Sequence, residues 1–461
     1  MMSEKEIISY IINNSQKIKI NSNEIKKNDV FLALKGTKFH GNKFIDSSFN
    51  NGAKYCITEK IPKSKKNINK ILIVNNIDNF LKKISITKRK LFKGKVIGIT
   101  GSAGKTTLKE TLYFFLKKKF KTSVSIKSYN NILGVTISIL NMDLSSKFAI
   151  FELGTNNFGE IRNLVKLVKP SQVFITNIQS THLENFKTNE KISKEKSDIF
   201  KFKYNPNAEI LFLFNTNIYE KFIFKIAKIQ KLKKIISFGN SSSQNFVKKI
   251  IKKNNFYEIE LFINEKIVKI NTKENAIHRL HNLLFVLAFF KENKININII
   301  KNNYQKLKPV VGRGKIHNLK IKKVTLKLID ESYNANPETM KQSIEYFSSL
   351  ETNNINKIII IGNMNELGLN SLKYHYEVLK FIEKFTFYKV ILCGEIFKSA
   401  IKKIANPKNK FIYKQNSKKL LYYVNDQIHN NAIIMIKCSN ATEVNMFAKK
   451  LISKNSGRSK I

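Results

Sequence analysis

The chain has 461 residues, more than one hydrophobic core supports, and its 42% hydrophobic content is ordinary for a globular protein of two to four domains. A formal charge of +50 raises the question of a nucleic-acid partner. The excess is lysine rather than arginine and runs through the whole chain. It rises together with Ile, Asn and Phe while Trp is absent, so the balance reads as drift toward residues with A/T-rich codons, and no nucleic acid is expected.

The opening "MMSEKEIISYIINNSQ" has no basic segment leading into an apolar run, so a soluble, cytoplasmic protein without membrane insertion is expected. Residues 1–88 carry the strand-like runs "VFLALKG" and "AKYCITE" with helical periodicity between them, which predicts a small α/β domain. From 89 to 307, "KVIGIT", "FAIFEL", "QVFITNI", "EILFLFN" and "KIISFG" alternate with amphipathic stretches, the pattern of a mostly parallel sheet with crossover helices. "FYEIELFI" and "KIVKINT", parted by "NE", read as an appended antiparallel hairpin, and "KIIKKN" as a solvated basic run. The block 308–461 repeats the α/β pattern with "LKLIDES", "KIIIIG", "KVILCG" and "AIIMIK". The expected architecture is therefore α/β in three domains. A central sheet carrying a phosphate loop is flanked by a small N-terminal α/β domain and a C-terminal Rossmann-like one. Cys56, Cys393 and Cys438 are odd in number and lack metal-ligand spacing, so buried thiols are expected.

The chemistry begins at "GITGSAGKTT", residues 98–107. A strict phosphate-loop count needs a glycine five places before Gly104, where Ile99 stands, so this loop has an altered spacing. It still follows a strand and opens a helix, "TLKETLYFFLKKK". Gly101 and Gly104 let the backbone approach a phosphate, the N–H groups of Ser102, Ala103 and Thr107 surround it, Lys105 adds a point charge, and Thr106 has a hydroxyl suited to Mg2+. ATP is the expected nucleotide, and Mg2+ its companion.

The form G-x-T-G-x-x-G-K-T resembles the loop of the Mur ligases, ATP-dependent amide-forming enzymes of peptidoglycan precursor synthesis. The likeness extends in order through "VFLALKGTKFHGNKFI", "YNNILGVTISIL", "FELGTNNFGEI", "THLENF", "EKSDIF", "DESYNANPETM" and "GNMNELG". It implies addition of D-alanyl-D-alanine to UDP-MurNAc-tripeptide through an acyl phosphate, by a monomer with Lys105, His182, Lys196 and Arg313 at the catalytic centre. Further roles come from the same resemblance. Glu152 and His182 join Thr106 at Mg2+, and Lys196 becomes a carboxylate-like ligand if carbamylated. His281 and Asn282 lie near adenine, and Arg313 reaches the γ-phosphate. One of Asp330 and Glu331 holds the ribose. Ser22, Lys35 and Gly36 contact the UDP-sugar, while Asn130, Asn131, Asn334 and Asn336 face substrate. From the residues alone, Glu152 and His182 would each more often be structural, Lys196 could be an ordinary surface lysine of a lysine-rich helix, and Asn334 and Asn336 could be turn residues before Pro337.

The chain departs from the family's pattern at several places: "NSN" at 21–23 replaces a Ser flanked by Asp and Arg, Glu331 an Asp, Phe285 an Asn, and "KCSN" at 437–440 a K-G-S-R. The loss of arginine removes charge-assisted donors. Two other readings are weaker matches. The diaminopimelate- or lysine-adding ligases carry a D-N-P signature that "ANPK" at 405–408 lacks, and a nucleic-acid-binding ATPase would leave Glu152, His182 and Lys196 without a role.

Overall fold

The computed structural model describes residues 3–36, 39–62, 66–273, 276–321, 324–350, 355–427 and 432–455. They form two compact units, one of residues 1–101, 108–176 and 194–244, the other of 102–107, 177–193 and 245–461.

The first unit holds two sheets. β1 (Ile18–Lys19), β2 (Asp29–Ala33), β3 (Ala53–Thr58) and β4 (Ile71–Ile73) pair in parallel in that order. Val30, Leu32, Tyr55 and Ile57 pack with Leu81 and Ile84 of the helix Ile77–Leu91 and with Ile137 and Leu140 of the helix Ile132–Leu140. Lys88 is fully buried at that junction. Its ammonium donates to the carbonyls of Ile11 (2.8 Å), Asn14 (2.9 Å) and Leu140 (2.7 Å), the orphan acceptors at the ends of two helices. Burial pulls its pKa down to about 8.

The second sheet of this unit uses β5 (Lys95–Thr100), β6 (Thr122–Val124), β7 (Phe148–Glu152), β8 (Gln172–Ile175), β9 (Ile210–Phe214) and β10 (Lys234–Gly239). Within the unit their order is β10-β9-β8-β5-β7-β6, every pair parallel. β7 and β8 are buried along their whole length, which explains why their sequences read as continuous apolar runs rather than alternating ones.

In the second unit, β11 (Asn245–Lys252), β12 (Tyr257–Ile263) and β13 (Lys266–Thr272) form an antiparallel meander. The predicted "NE" hairpin is present, with Asn264 and Glu265 both at positive φ (43° and 65°), as a twist-matched two-residue turn requires. β11 was not expected: its lysines mask the strand pattern, and their ammonium groups remain at the surface while the backbone pairs with β12.

A second sheet follows, built from β14 (Lys315–Ile321), β15 (Val324–Glu331), β16 (Asn356–Gly362), β17 (Lys389–Cys393), β18 (Phe411–Lys414) and β19 (Ala432–Lys437) in the order β14-β15-β19-β16-β17-β18. Only β14 runs antiparallel to its neighbour. The register sets Glu331 beside Lys437 at adjacent strand ends, the edge where open α/β sheets place ligands. All three cysteines are buried, and burial pushes each thiol up to about 12, so they are packing groups. No helix among the described residues is long and apolar enough to cross a membrane.

Candidate active site

In the first unit the chemistry gathers at the ends of β5 and β7. Gly101 leaves β5 with φ of +140°, and a Cβ there would sit 1.9 Å from Thr176 Oγ1, so only glycine lets the strand turn into the loop. Glu152 ends β7, is 1% exposed, and accepts a hydrogen bond from Asn130 Nδ2 at 2.9 Å. Gly154 makes room for that amide: a Cβ there would fall 2.6 Å from Asn130 Cγ. Asn131 turns to the backbone instead, capping the helix Ile132–Leu140 through Gly134 N (2.9 Å). Lys196 is buried on the helix Asn189–Ser197. Its neighbour Glu195 accepts from Gly159 N (2.7 Å) and Ile161 N (2.9 Å), which caps the helix Glu160–Val168 from outside and fastens it to the helix bearing Lys196. Sequence reading passed over Glu195, because nothing in a lysine-rich helix signals a cap in trans.

Around Ser22, Lys35 and Gly36 the first unit is held by one side-chain amide and by backbone pairing. Asn51 Nδ2 donates to Ser22 O (3.0 Å), Lys35 bridges His40, and Gly36 N donates to Phe39 O (2.9 Å). Asn42, in the same segment, accepts from Thr58 Oγ1 (2.5 Å) and donates to Lys60 O (2.9 Å), a structural role.

The second unit contains loop residues 102–107. Ser102 and Thr106 are buried, Gly104 has a positive φ, and Lys105 opens the helix Lys105–Leu116 with its ammonium donating to Ser102 O at 3.2 Å. His182 sits at φ of +53°, with Nδ1 against the Glu366 carboxylate. That contact holds Glu366 below the usual carboxylate range.

His281 and Asn282 lie in the first turns of the helix Ile277–Glu292. Desolvation, with His278 adding to it, pulls the His281 pKa down to about 4, so the imidazole is neutral near pH 7 and able both to donate and to accept. Phe285, where the family pattern has a second Asn, is 1% exposed: it has joined the apolar side of the helix.

At the turn before β14, Arg313 lies over the Tyr333 ring at 4.5 Å. Gly314, at φ of +86°, has no room for a side chain, since a Cβ would meet Arg279 Nη2 at 2.2 Å. Asp330 is buried, with its carboxylate accepting from Gly312 N (3.1 Å), Ser332 N (3.1 Å) and Ser332 Oγ (2.6 Å). Glu331 is less buried and meets Lys437 Nζ at 3.3 Å. Asn334 caps the next backbone N–H, and Asn336 forms a capping box with Thr339 at the start of the helix Pro337–Ser349. Cys438 Sγ packs on Ser332 O at 3.7 Å.

These features define a nucleotide-using α/β protein with a glycine loop after a central strand and carboxylates at the end of a second sheet. Residues 99–290 match the family description Mur ligase middle domain, and residues 15–89 match the Mur ligase family, catalytic domain. The chain is 34% identical over 94% of its length, and 94% of the relative's, to UDP-N-acetylmuramoyl-tripeptide–D-alanyl-D-alanine ligase of Rickettsia prowazekii. Similar folds are those of MurF from Acinetobacter baumannii (TM-score 0.79, 22% identity, 97% of this chain and 98% of that one) and MurF ligase from Thermotoga maritima in complex with ADP (TM-score 0.76, 25% identity, 98% and 100%). The chain belongs to the Mur ligase family, and within it to the UDP-N-acetylmuramoyl-tripeptide–D-alanyl-D-alanine ligases.

Proposed function

We propose that this chain is an ATP-dependent ligase that joins D-alanyl-D-alanine to UDP-N-acetylmuramoyl-tripeptide, giving the UDP-MurNAc-pentapeptide for peptidoglycan synthesis. The observation that carries this reading is the near-full-length likeness to the Rickettsia prowazekii ligase. In it, residues 1–88 take the nucleotide sugar, 89–307 the ATP and 308–461 the dipeptide, in a cytoplasmic monomer.

The tripeptide carboxylate attacks the γ-phosphorus of ATP, ADP leaves, and the dipeptide amine then displaces phosphate from the acyl phosphate. Anion meets anion in the first step, so the site must neutralise charge before chemistry can begin. Lys105, the loop N–H groups and Arg313 supply that neutralisation from the protein. Arg313, stacked on Tyr333, is held as a planar donor ready for a phosphate.

Among the described residues no three His, Cys, Asp or Glu side chains gather as an all-protein metal cage would require. Mg2+ needs no such cage, since it keeps several waters and takes one or two carboxylates beside phosphate oxygens, and a buried Glu152 fits it. Thr106, Glu152 and His182, with Lys196 once carbamylated, would hold it. When bound it would supply positive charge to the triphosphate.

Of the two carboxylates, Glu331 is the one proposed to hold the ribose: Asp330 already accepts from Gly312 N, Ser332 N and Ser332 Oγ, whereas Glu331 is less buried and is met by Lys437. The test is phosphate release measured with ATP, UDP-MurNAc-tripeptide and D-alanyl-D-alanine, using tripeptides ending in meso-diaminopimelate and in lysine, with DNA as the control. Release that needs both peptide substrates supports the proposal; release stimulated by DNA alone ends it.

A further inference from the structure

Residues 177–184 follow β8 and are bonded on two sides. Toward the phosphate loop, Ser102 N donates to Asn177 O (3.0 Å) and Ala103 N to Asn177 Oδ1 (2.9 Å). Ser102 Oγ donates to Gln179 O (3.0 Å) and accepts from Gln179 N (2.9 Å). Toward the C-terminal block, Asn336 Nδ2 donates to Gln179 Oε1 (3.1 Å), and the Glu338 carboxylate accepts from Ser180 N (3.2 Å) and Ser180 Oγ (2.7 Å). Gln179 and Ser180 are buried, and their partners Ala103, Asn177 and Glu338 are partly so.

The arrangement divides labour within single residues. Gln179 gives its main chain to the loop and its side chain to Asn336. Asn336 is itself fixed, because its side-chain oxygen accepts from Thr339 N (2.7 Å) and starts the helix Pro337–Ser349. A shift of Ser102 or Ala103 toward a bound phosphate therefore displaces atoms that the C-terminal block holds directly. None of these pairings is local in sequence: the Ser180–Glu338 bond spans 158 positions.

We infer that residues 177–184 are a relay that couples occupancy of the phosphate loop to the C-terminal block, and that Glu338 is its positioning residue. The inference rests on the reading of residues 98–107 as the ATP loop. Glu338 suits the task because one carboxylate takes both polar groups of Ser180, a two-point grip that fixes orientation as well as distance. It acts through Ser180. Its effect is to let nucleotide binding favour the arrangement that receives the dipeptide, which is a coupling free energy between two ligands.

The experiment is hydrogen exchange on the full chain, with and without Mg2+ and a non-hydrolysable ATP analogue, in the native protein, Glu338→Ala and Glu338→Gln. In the native protein the analogue slows exchange in residues 98–107 and also in 336–342. Glu338→Ala keeps the first protection and loses the second. Glu338→Gln, whose amide oxygen still accepts from Ser180, retains part of it. In steady-state kinetics Glu338→Ala raises KM for D-alanyl-D-alanine about tenfold, with KM for ATP within about twofold of native. A simple loss of stability would not produce that split. Equal protection of 336–342 in the native protein and Glu338→Ala, or an unchanged dipeptide KM, overturns the relay. If residues 98–107 are themselves unprotected in the native protein, it is the ATP-loop reading that fails, and the relay with it.

Discussion

The ends of β5 and β15 solve opposite problems with the same architecture. Both lie at the edge where α/β sheets bind ligands, and each has a glycine with no room for a Cβ: Gly101 leaves β5, and Gly314, at the turn before β14, donates its N–H to Asp330 O beside the end of β15. After β5 the chain offers backbone N–H groups, an ammonium and a hydroxyl, which suit a polyanion. The end of β15 itself offers two carboxylates, Asp330 consumed by the turn and Glu331 steadied by Lys437, which suit hydroxyl groups. The lesson is that the same strand-end geometry can present either donors or acceptors, and the side chains placed there decide which kind of ligand group it suits.

That contrast can be broken most severely on the donor side. Lys105→Ala is expected to lower phosphate release at least about a thousandfold with the melting temperature unchanged, because the charge opposing the triphosphate is lost. Release at the native rate would refute the loop assignment. Lys196→Ala is expected to lose about a hundredfold in turnover, with added bicarbonate giving nothing back and short carboxylic acids restoring part. Full activity in that variant removes the lysine from the mechanism.

On the acceptor side the two carboxylates should separate. Glu331→Gln is expected to raise KM for ATP about tenfold with little change in melting temperature, which is the worth of one charge-assisted bond. Asp330→Ala should instead unfold at a melting temperature lower by roughly 5–10 °C, since a buried acceptor of three donors is removed from the turn. The opposite pattern would reverse their roles.

The smallest effect concerns acid. His375 is buried, accepts from Met364 N through Nε2 (3.0 Å), makes a 2.7 Å contact from Nδ1 to Ser371 O, and has its pKa pushed from 6.5 to about 4 by burial. The unfolded state takes up the proton first, so this contribution to stability is complete above pH 6.5 and is lost as pH falls toward 4. His375→Gln is expected to flatten the fall in melting temperature across that window, by a few degrees; an unchanged slope would place the acid sensitivity elsewhere.

Much was legible in the sequence because its cause is local. Apolar runs marked most of the strands in both large sheets, the "NE" pair marked its hairpin, and the glycines of residues 98–107 marked a tight strand-to-helix loop, since period, turn chemistry and backbone freedom act over a few residues. Strands β1, β4, β6, β11, β14 and β18 were missed, because very short, lysine-rich or edge segments carry little alternation and gain their pairing from neighbours. The roles of particular polar residues needed the tertiary structure: that Asp330 serves a turn while Glu331 faces Lys437, that Glu195 caps a distant helix, and that Glu338 grips Ser180. Those are partnerships across tens to hundreds of positions. A hydrogen bond depends on where the chain brings two groups together, and no local pattern records it.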